Sequence, residues 1–301
     1  MQAPDRMLIQ GGRLLAGEAL RFDVTPSGLH HALPGLGLCD VDLDGWRLVV
    51  GGHTRYALGL SLAGVQRRPA RTAPVVLQTP GLPGAASQAR WTGTPLSQVL
   101  HEAAPLDGAG HVVFNGLDRG IVDGAARRGE ICLPLEMAMA EDVMLAWAMN
   151  GDPLPLEHGH PLRLLVPGRE EWASLRWLTA ISVAEGPVPD GPEPARLAPQ
   201  ALVEPPGLLE RDTGCRVVEA GSTALSGRAW SGAGVVSGVE FSTDGGESWR
   251  VATLAETAPG AGWSRWTATW AAGAGSHRLG SRALDERGDA GEASFLEVQV
   301  R

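Results

Sequence analysis

The sequence predicts an α+β domain followed by an immunoglobulin-like β-sandwich, and three observations lead there. The chain has 301 residues, enough for roughly two domains at about 150 residues each. Prolines at 187, 189, 192, 194, 199, 205 and 206 crowd one stretch, a density that forbids helix interiors and central strands. Before that stretch helical and strand spacings mix, and after it they are almost wholly strand and turn. The expected division is therefore a first domain over 1–186, an extended connector over 187–206 and a sandwich over 207–301.

In the first domain, the run from Trp46 to Gly52 and the run from Pro74 to Gln78 are short, apolar and bounded by turn formers, as strands are. Between Thr94 and Ala104 the period changes: Leu96, Val99, Leu100 and Ala103 recur at helical spacing, with Thr94 expected as N-cap and Pro95 as first helical residue. Leu135 to Ala140 reads as a second short helix. Arg163 to Val166 and Arg176 to Val183 read as strands. In the second domain, Val239, Phe241 and Thr243 alternate with polar neighbours up to Asp244-Gly245-Gly246, and Trp249 and Val251 continue beyond it, which makes a hairpin. Trp266, Ala268 and Trp270 share one strand face, and Leu296, Val298 and Val300 share another. The tryptophans are expected in the sandwich core.

Composition narrows the function. A net charge of −9 and an absence of basic runs offer no attraction to nucleic acid or anionic lipid. All 25 basic residues are arginine, so Schiff-base chemistry and lysine phosphate loops have no residue to use. Cys39, Cys132 and Cys215 are far apart, without CxxC spacing, and are expected as reduced thiols. Met1 to Gly17 lacks a basic start followed by an apolar stretch, and no window approaches 18 apolar residues. A cytoplasmic protein with no membrane partner is expected.

Two stretches are specific: LAWAMNGDPLPLEHGHPLRLLVPG, Leu145 to Gly168, and SLRWLTAISV, Ser174 to Val183. They resemble the sulfite oxidase family of molybdopterin oxidoreductases. Thr25-Pro26, DVDLDGWRLVVGG (Asp40 to Gly52) and ARWTGTPLSQVLHEA (Ala89 to Ala103) resemble the same family's cofactor domain. GRAWSGAGVVSGVEFSTDGGESWRVATL (Gly227 to Leu254), WSRWTATW and SRALDERGDAG resemble its C-terminal dimerisation domain. The resemblance implies a molybdopterin-binding fold, and a homodimer or a heterodimer with an active paralogue.

It also implies a site, and the sequence departs from it. Where the family has a molybdenum-binding cysteine after a strand, this chain has Thr79, a hydroxyl and not a soft thiolate. The family's Arg-Asn-His triplet aligns with Leu33, Pro34 and Gly35, with His30 and His31 nearby, a pair expected at the surface or in capping. The substrate-arginine segment shrinks to Leu82 to Gln88, and the family tyrosine is Trp147. Cys132 is the one partial substitute for the lost ligand. His158, Arg163 and Arg176 match family residues near the pterin phosphate; the competing reading gives Asn150, His158 and Arg163 a folding role. Glu170 and Glu171 bring negative charge to that end, which disfavours a phosphate. The expectation is a non-catalytic structural or regulatory dimer with no cofactor and no metal. The alternative is a molybdopterin-dependent oxidoreductase acting on sulfite or a related oxyanion with altered metal ligation. A weaker third reading is a pocket for another phosphorylated small molecule.

Overall fold

The computed structural model describes residues 17–32, 36–37, 39, 41–79, 85–122, 124–210, 213–255 and 262–301, the side chains of Glu18 and Val122 excepted. The expectations at Leu33, Pro34, Gly35 and Leu82 lie outside the described residues. The chain forms two compact units, one of residues 32–73 and 90–195, the other of residues 1–31, 74–89 and 196–301.

The unit of residues 32–73 and 90–195 begins with β1 (Leu48–Gly52), β2 (Leu58–Leu60) and α1 (Leu62–Gln66). Then β3 (Arg71–Gln78) and β4 (Ala86–Pro95) run partly in each unit, and α2 (Leu96–Ala103) follows. Next come β5 (Ala109–Val122), β6 (Ala125–Pro134), α3 (Leu135–Ala138), β7 (Met144–Met149), β8 (Asp152–Pro153), β9 (Arg163–Leu165) and β10 (Leu178–Glu185). One sheet has the order β2-β1-β10-β5-β6, with β1 and β10 parallel. β7 pairs antiparallel with residues 91–95 of β4, with β8 and with β9. Leu48, Val50, Val112, Phe114, Ile181 and Val183 alternate onto the buried face of the first sheet, where the apolar stripe of α2 joins them.

Two local expectations needed correction. Thr94 does not cap α2: it sits in β4, its hydroxyl donates to the Val65 carbonyl (3.1 Å), and the Leu96 amide donates instead to Val143 O (3.0 Å). β10 starts at Leu178 and not at Arg176, because Trp177 has φ 50°, outside strand geometry. Helix is also scarcer than a balanced α+β mixture suggests, since the described α-helices contain only five, eight and four residues.

The other unit carries β11 (Gln200–Val203), β12 (Leu208–Leu209), β13 (Arg216–Val218), β14 (Gly221–Trp230), β15 (Val236–Ser242), β16 (Arg250–Val251), β17 (Thr253–Leu254), β18 (Ser264–Ala272), β19 (Gly275–Asp285) and β20 (Ser294–Val300). They form a four-stranded sheet, β11-β14-β18-β17, and a six-stranded sheet, β12-β13-β20-β19-β15-β16. Trp266, Trp270, Phe241, Val239, Leu296, Val298 and Val300 fill one core from both sheets, on the period-two faces that the sequence marks. β11 lies within the proline-rich stretch as an edge strand, the one sheet position such a sequence tolerates. A second cluster packs Leu20, Val76 and Ala86 against Leu202, Trp230 and Trp263. Arg228, nearly fully buried, fastens it: Nε donates to Leu20 O (2.8 Å) and Nη1 meets Asp23 (2.7 Å).

Candidate functional site

The residues that the sequence set at a pterin phosphate, His158, Arg163 and Arg176, converge on one turn of the 32–73/90–195 unit. β7 leads into Asn150 and Gly151, both at positive φ (55° and 95°), the conformation that a two-residue hairpin needs. Asn150 also ties the hairpin to β4: its amide donates to Arg90 O (2.7 Å), and its Oδ1 accepts from the Arg90 amide (2.9 Å). Beyond β8 a 3-10 turn spans Leu156–His158 and ends at Gly159. At Gly159, φ is 101° and an added Cβ would lie 2.9 Å from Arg176 Cβ, so only glycine lets the two segments approach.

Three side chains hold this turn by its carbonyls. Arg163 Nη1 donates to His158 O (3.3 Å), Arg176 Nη1 to Glu157 O (3.0 Å) and Trp177 Nε1 to Leu156 O (3.0 Å). Arg163 Nη2 donates to Ser174 O (3.0 Å), and its guanidinium lies over the Trp91 ring at 4.9 Å. His158 meets the same ring edge-on at 6.5 Å. Arg176 stacks over Trp177 at 4.7 Å. Arg163, His158, Trp91 and Trp177 are buried, and Arg176 is half-buried. The sequence singled out the two arginines and His158. It missed Trp91, whose signal is only an aromatic in the strand before α2.

Burial pushes Arg163 down to about 9; the nearby Glu171 carboxylate opposes the shift and the Arg176 charge adds to it. At neutral pH the guanidinium is still charged. Burial also lowers Arg176, against the opposing influence of Glu171, Asp118 and Cys39. Glu171 is only 5% exposed, so a carboxylate and two guanidinium groups share a poorly solvated region.

The sulfur and histidine candidates are arranged differently. Cys132, on β6, is a half-buried free thiol, and burial followed by the Glu130 charge raises its pKa, so it stays protonated near neutral pH. Cys39 is likewise free and raised, by burial and then by Asp118. Among the described residues no group of three or more His, Cys, Asp or Glu side chains could hold a metal ion. Trp147, on β7, is half-buried against the apolar core, and its indole nitrogen has no hydrogen-bond partner among the described residues. In the other unit Thr79 is buried at the end of β3, its amide donating to Ala85 O (3.0 Å). His30 and His31, expected at the surface or in capping, are buried instead, their rings stacked at 5.3 Å. Ser87, which sequence reasoning overlooked, lies 2.5 Å from His31 Nδ1 and explains how a polar pair is accommodated inside.

The family model described as "Oxidoreductase molybdopterin binding domain" matches residues 36–191. The chain is 34% identical over 288 residues to sulfite oxidase of Gallus gallus, covering 82% of this chain and 62% of that protein. It is 32% identical over 270 residues to mitochondrial sulfite oxidase of Mus musculus, covering 77% of this chain and 49% of the relative. The chain thus spans about half to three-fifths of the length of these curated relatives. Among solved structures, the sulfane dehydrogenase SoxCD of Paracoccus pantotrophus superposes with a TM-score of 0.79 at 23% identity, over 96% of this chain and 80% of that one, a likeness of fold.

These matches correct the expectation that no cofactor is involved: the matching family is defined by molybdopterin binding. The phosphate end fits such a group, since the buried Arg163 Nε has no partner among the described residues and Arg176 adds a second cation beside it. Thr79, which the sequence set at the place of a metal ligand, carries a hydroxyl and not a soft thiolate. The chain belongs to the oxidoreductase molybdopterin-binding domain family and is sulfite-oxidase-like within it.

Proposed function

We propose that the protein binds a molybdopterin cofactor by its phosphate end and does not oxidise sulfite. The observation that carries this reading is the buried Arg163 on the Trp91 face, with one donor unused and Arg176 alongside. Those two guanidinium groups supply the positive charge for a phosphate. Trp91 and His158 hold Arg163 in place, and the Asn150 hairpin holds β4, which carries Trp91. When bound, the group supplies two-electron redox chemistry at its metal.

The same reading makes Thr79 the position of the family's metal-binding cysteine. A threonine hydroxyl does not ionise near neutral pH and is a hard donor, so the protein contributes no thiolate there. Trp147 in place of the family's tyrosine removes a phenolic donor as well. A structural or regulatory role follows, and we read the two-sheet unit as an immunoglobulin-like sandwich through which two chains associate. The test is pterin fluorescence released from purified protein, together with sulfite-dependent reduction of an artificial acceptor. Pterin lost on Arg163→Met, with no sulfite turnover in wild type, is the expected pair of results. Absence of pterin, or sulfite turnover, overturns the proposal.

A further inference from the structure

The feature that the cofactor reading leaves unexplained is Glu171. It opens the 3-10 turn Glu171–Ala173, and that turn is fixed from both sides. Ser174 N donates to Glu171 O (2.9 Å), Ser174 Oγ accepts from the Val166 amide (3.0 Å), and Ser174 O accepts from Arg163. On the other side Glu170 exchanges backbone and side-chain bonds with Ala195, and its Oε2 also accepts from Trp172 Nε1 (2.8 Å). Of the two adjacent carboxylates, then, Glu170 is engaged by Ala195 and Trp172, while Glu171 is buried in the turn whose Ser174 carbonyl Arg163 grips, and its charge bears on both Arg163 and Arg176. Taking a carboxylate out of water is costly unless an opposite charge compensates.

We infer that Glu171 is a built-in counter-anion for Arg163 and Arg176, competing with any phosphate monoester or other oxyanion for the same two guanidinium groups and so setting how weakly such a ligand binds. The inference rests on reading Arg163 and Arg176 as the phosphate-facing pair. A carboxylate that neutralises the pair in the folded chain keeps the site stable when empty. It also opposes a multiply charged phosphate by direct repulsion, which in a region of effective dielectric about 20 is worth tenfold or more in affinity at a separation of several ångströms.

Inorganic phosphate is the probe. Thermal unfolding of wild type, Glu171→Gln and Glu171→Asp is followed in sodium phosphate and in sodium chloride at equal ionic strength. Wild type and Glu171→Asp, which keep the charge, should gain little in phosphate over chloride, and to the same extent. Glu171→Gln should unfold earlier in chloride and be restored by phosphate in a saturable way, with apparent affinity at least tenfold above wild type. An equal phosphate response in all three proteins overturns the inference. So does a Glu171→Gln protein that shows no phosphate response, or one that fails to fold in phosphate as it does in chloride. A phosphate gain in Glu171→Gln, with no pterin in any preparation, retires the cofactor reading and leaves this one standing. Pterin without that gain does the reverse.

Discussion

Replacing Arg163 by methionine keeps the unbranched apolar stem and removes the guanidinium end with its charge and donors. The structure then loses the two donors to His158 O and Ser174 O, the cation over Trp91 and one of the two positive charges that Glu171 influences. Removing one partner of a buried ion pair costs about 3–5 kcal/mol, within which the stranded carbonyls account for about 1–3 kcal/mol each when they stay dry. We expect about 4 kcal/mol for Arg163→Met. Glu171→Gln keeps the shape and leaves the cations uncompensated, and should cost about 2–3 kcal/mol. The double variant removes both members, so its loss should fall short of the sum by about 1.5 kcal/mol or more. Urea unfolding followed by tryptophan fluorescence measures these losses, Trp91 and Trp177 being two of the ten tryptophans that contribute to the signal. Additivity within about 0.5 kcal/mol would refute a Glu171–Arg163 interaction, and a loss below about 1 kcal/mol for Arg163→Met would refute its role in holding the turn.

Asn150→Ala should cost about 1–2 kcal/mol in the same assay, because alanine at positive φ is strained and the Arg90 amide loses its acceptor. Gly227→Ala should abolish soluble folded protein, as a Cβ there would lie 2.1 Å from Leu202 O and 2.4 Å from the Trp266 ring; a cooperative melt would contradict this. The Asp244 carboxyl is held well below the usual carboxylate range by donors from Ser248 and Ser242. Because its folded pKa is depressed, its contribution to stability is present above the unfolded pKa of about 3.9 and is lost as pH falls through the lower folded value. The difference in melting temperature between wild type and Asp244→Asn should therefore be constant near neutrality and narrow only under acid. Thr79→Cys should raise the molybdenum retained per chain, read by elemental analysis; no change would count against Thr79 as the ligand position.

Period-two faces were legible where both sheets bury the same stripe, as at Trp266 and Trp270 or at Val298 and Val300. The long β5–β6 pairing carries no apolar alternation in its outer half, where Ile121 and residues 124–128 are exposed, and so leaves no mark in the sequence. The grouping of residues 1–31 and 74–89 with 196–301 leaves no local mark either, since it depends on contacts such as Arg228 with Leu20 across more than 200 residues. Thr94 read as a cap because its chemistry suits one, but a tertiary acceptor, Val65 O, claimed the hydroxyl. At the candidate site, residue type pointed to Arg163 and Arg176. What a sequence could not convey is that Glu171 faces inward while its neighbour Glu170 bonds to Ala195 and Trp172, a choice made by the turn's anchoring.

We read the chain as keeping a phosphate grip without the metal chemistry. The direct test is one preparation of wild-type protein analysed for released pterin and, in parallel, for sulfite-dependent acceptor reduction, beside Arg163→Met. Pterin in wild type, its loss in the variant and no reduction by sulfite are the predicted results. Sulfite turnover, or equal pterin content in the two proteins, would contradict the account.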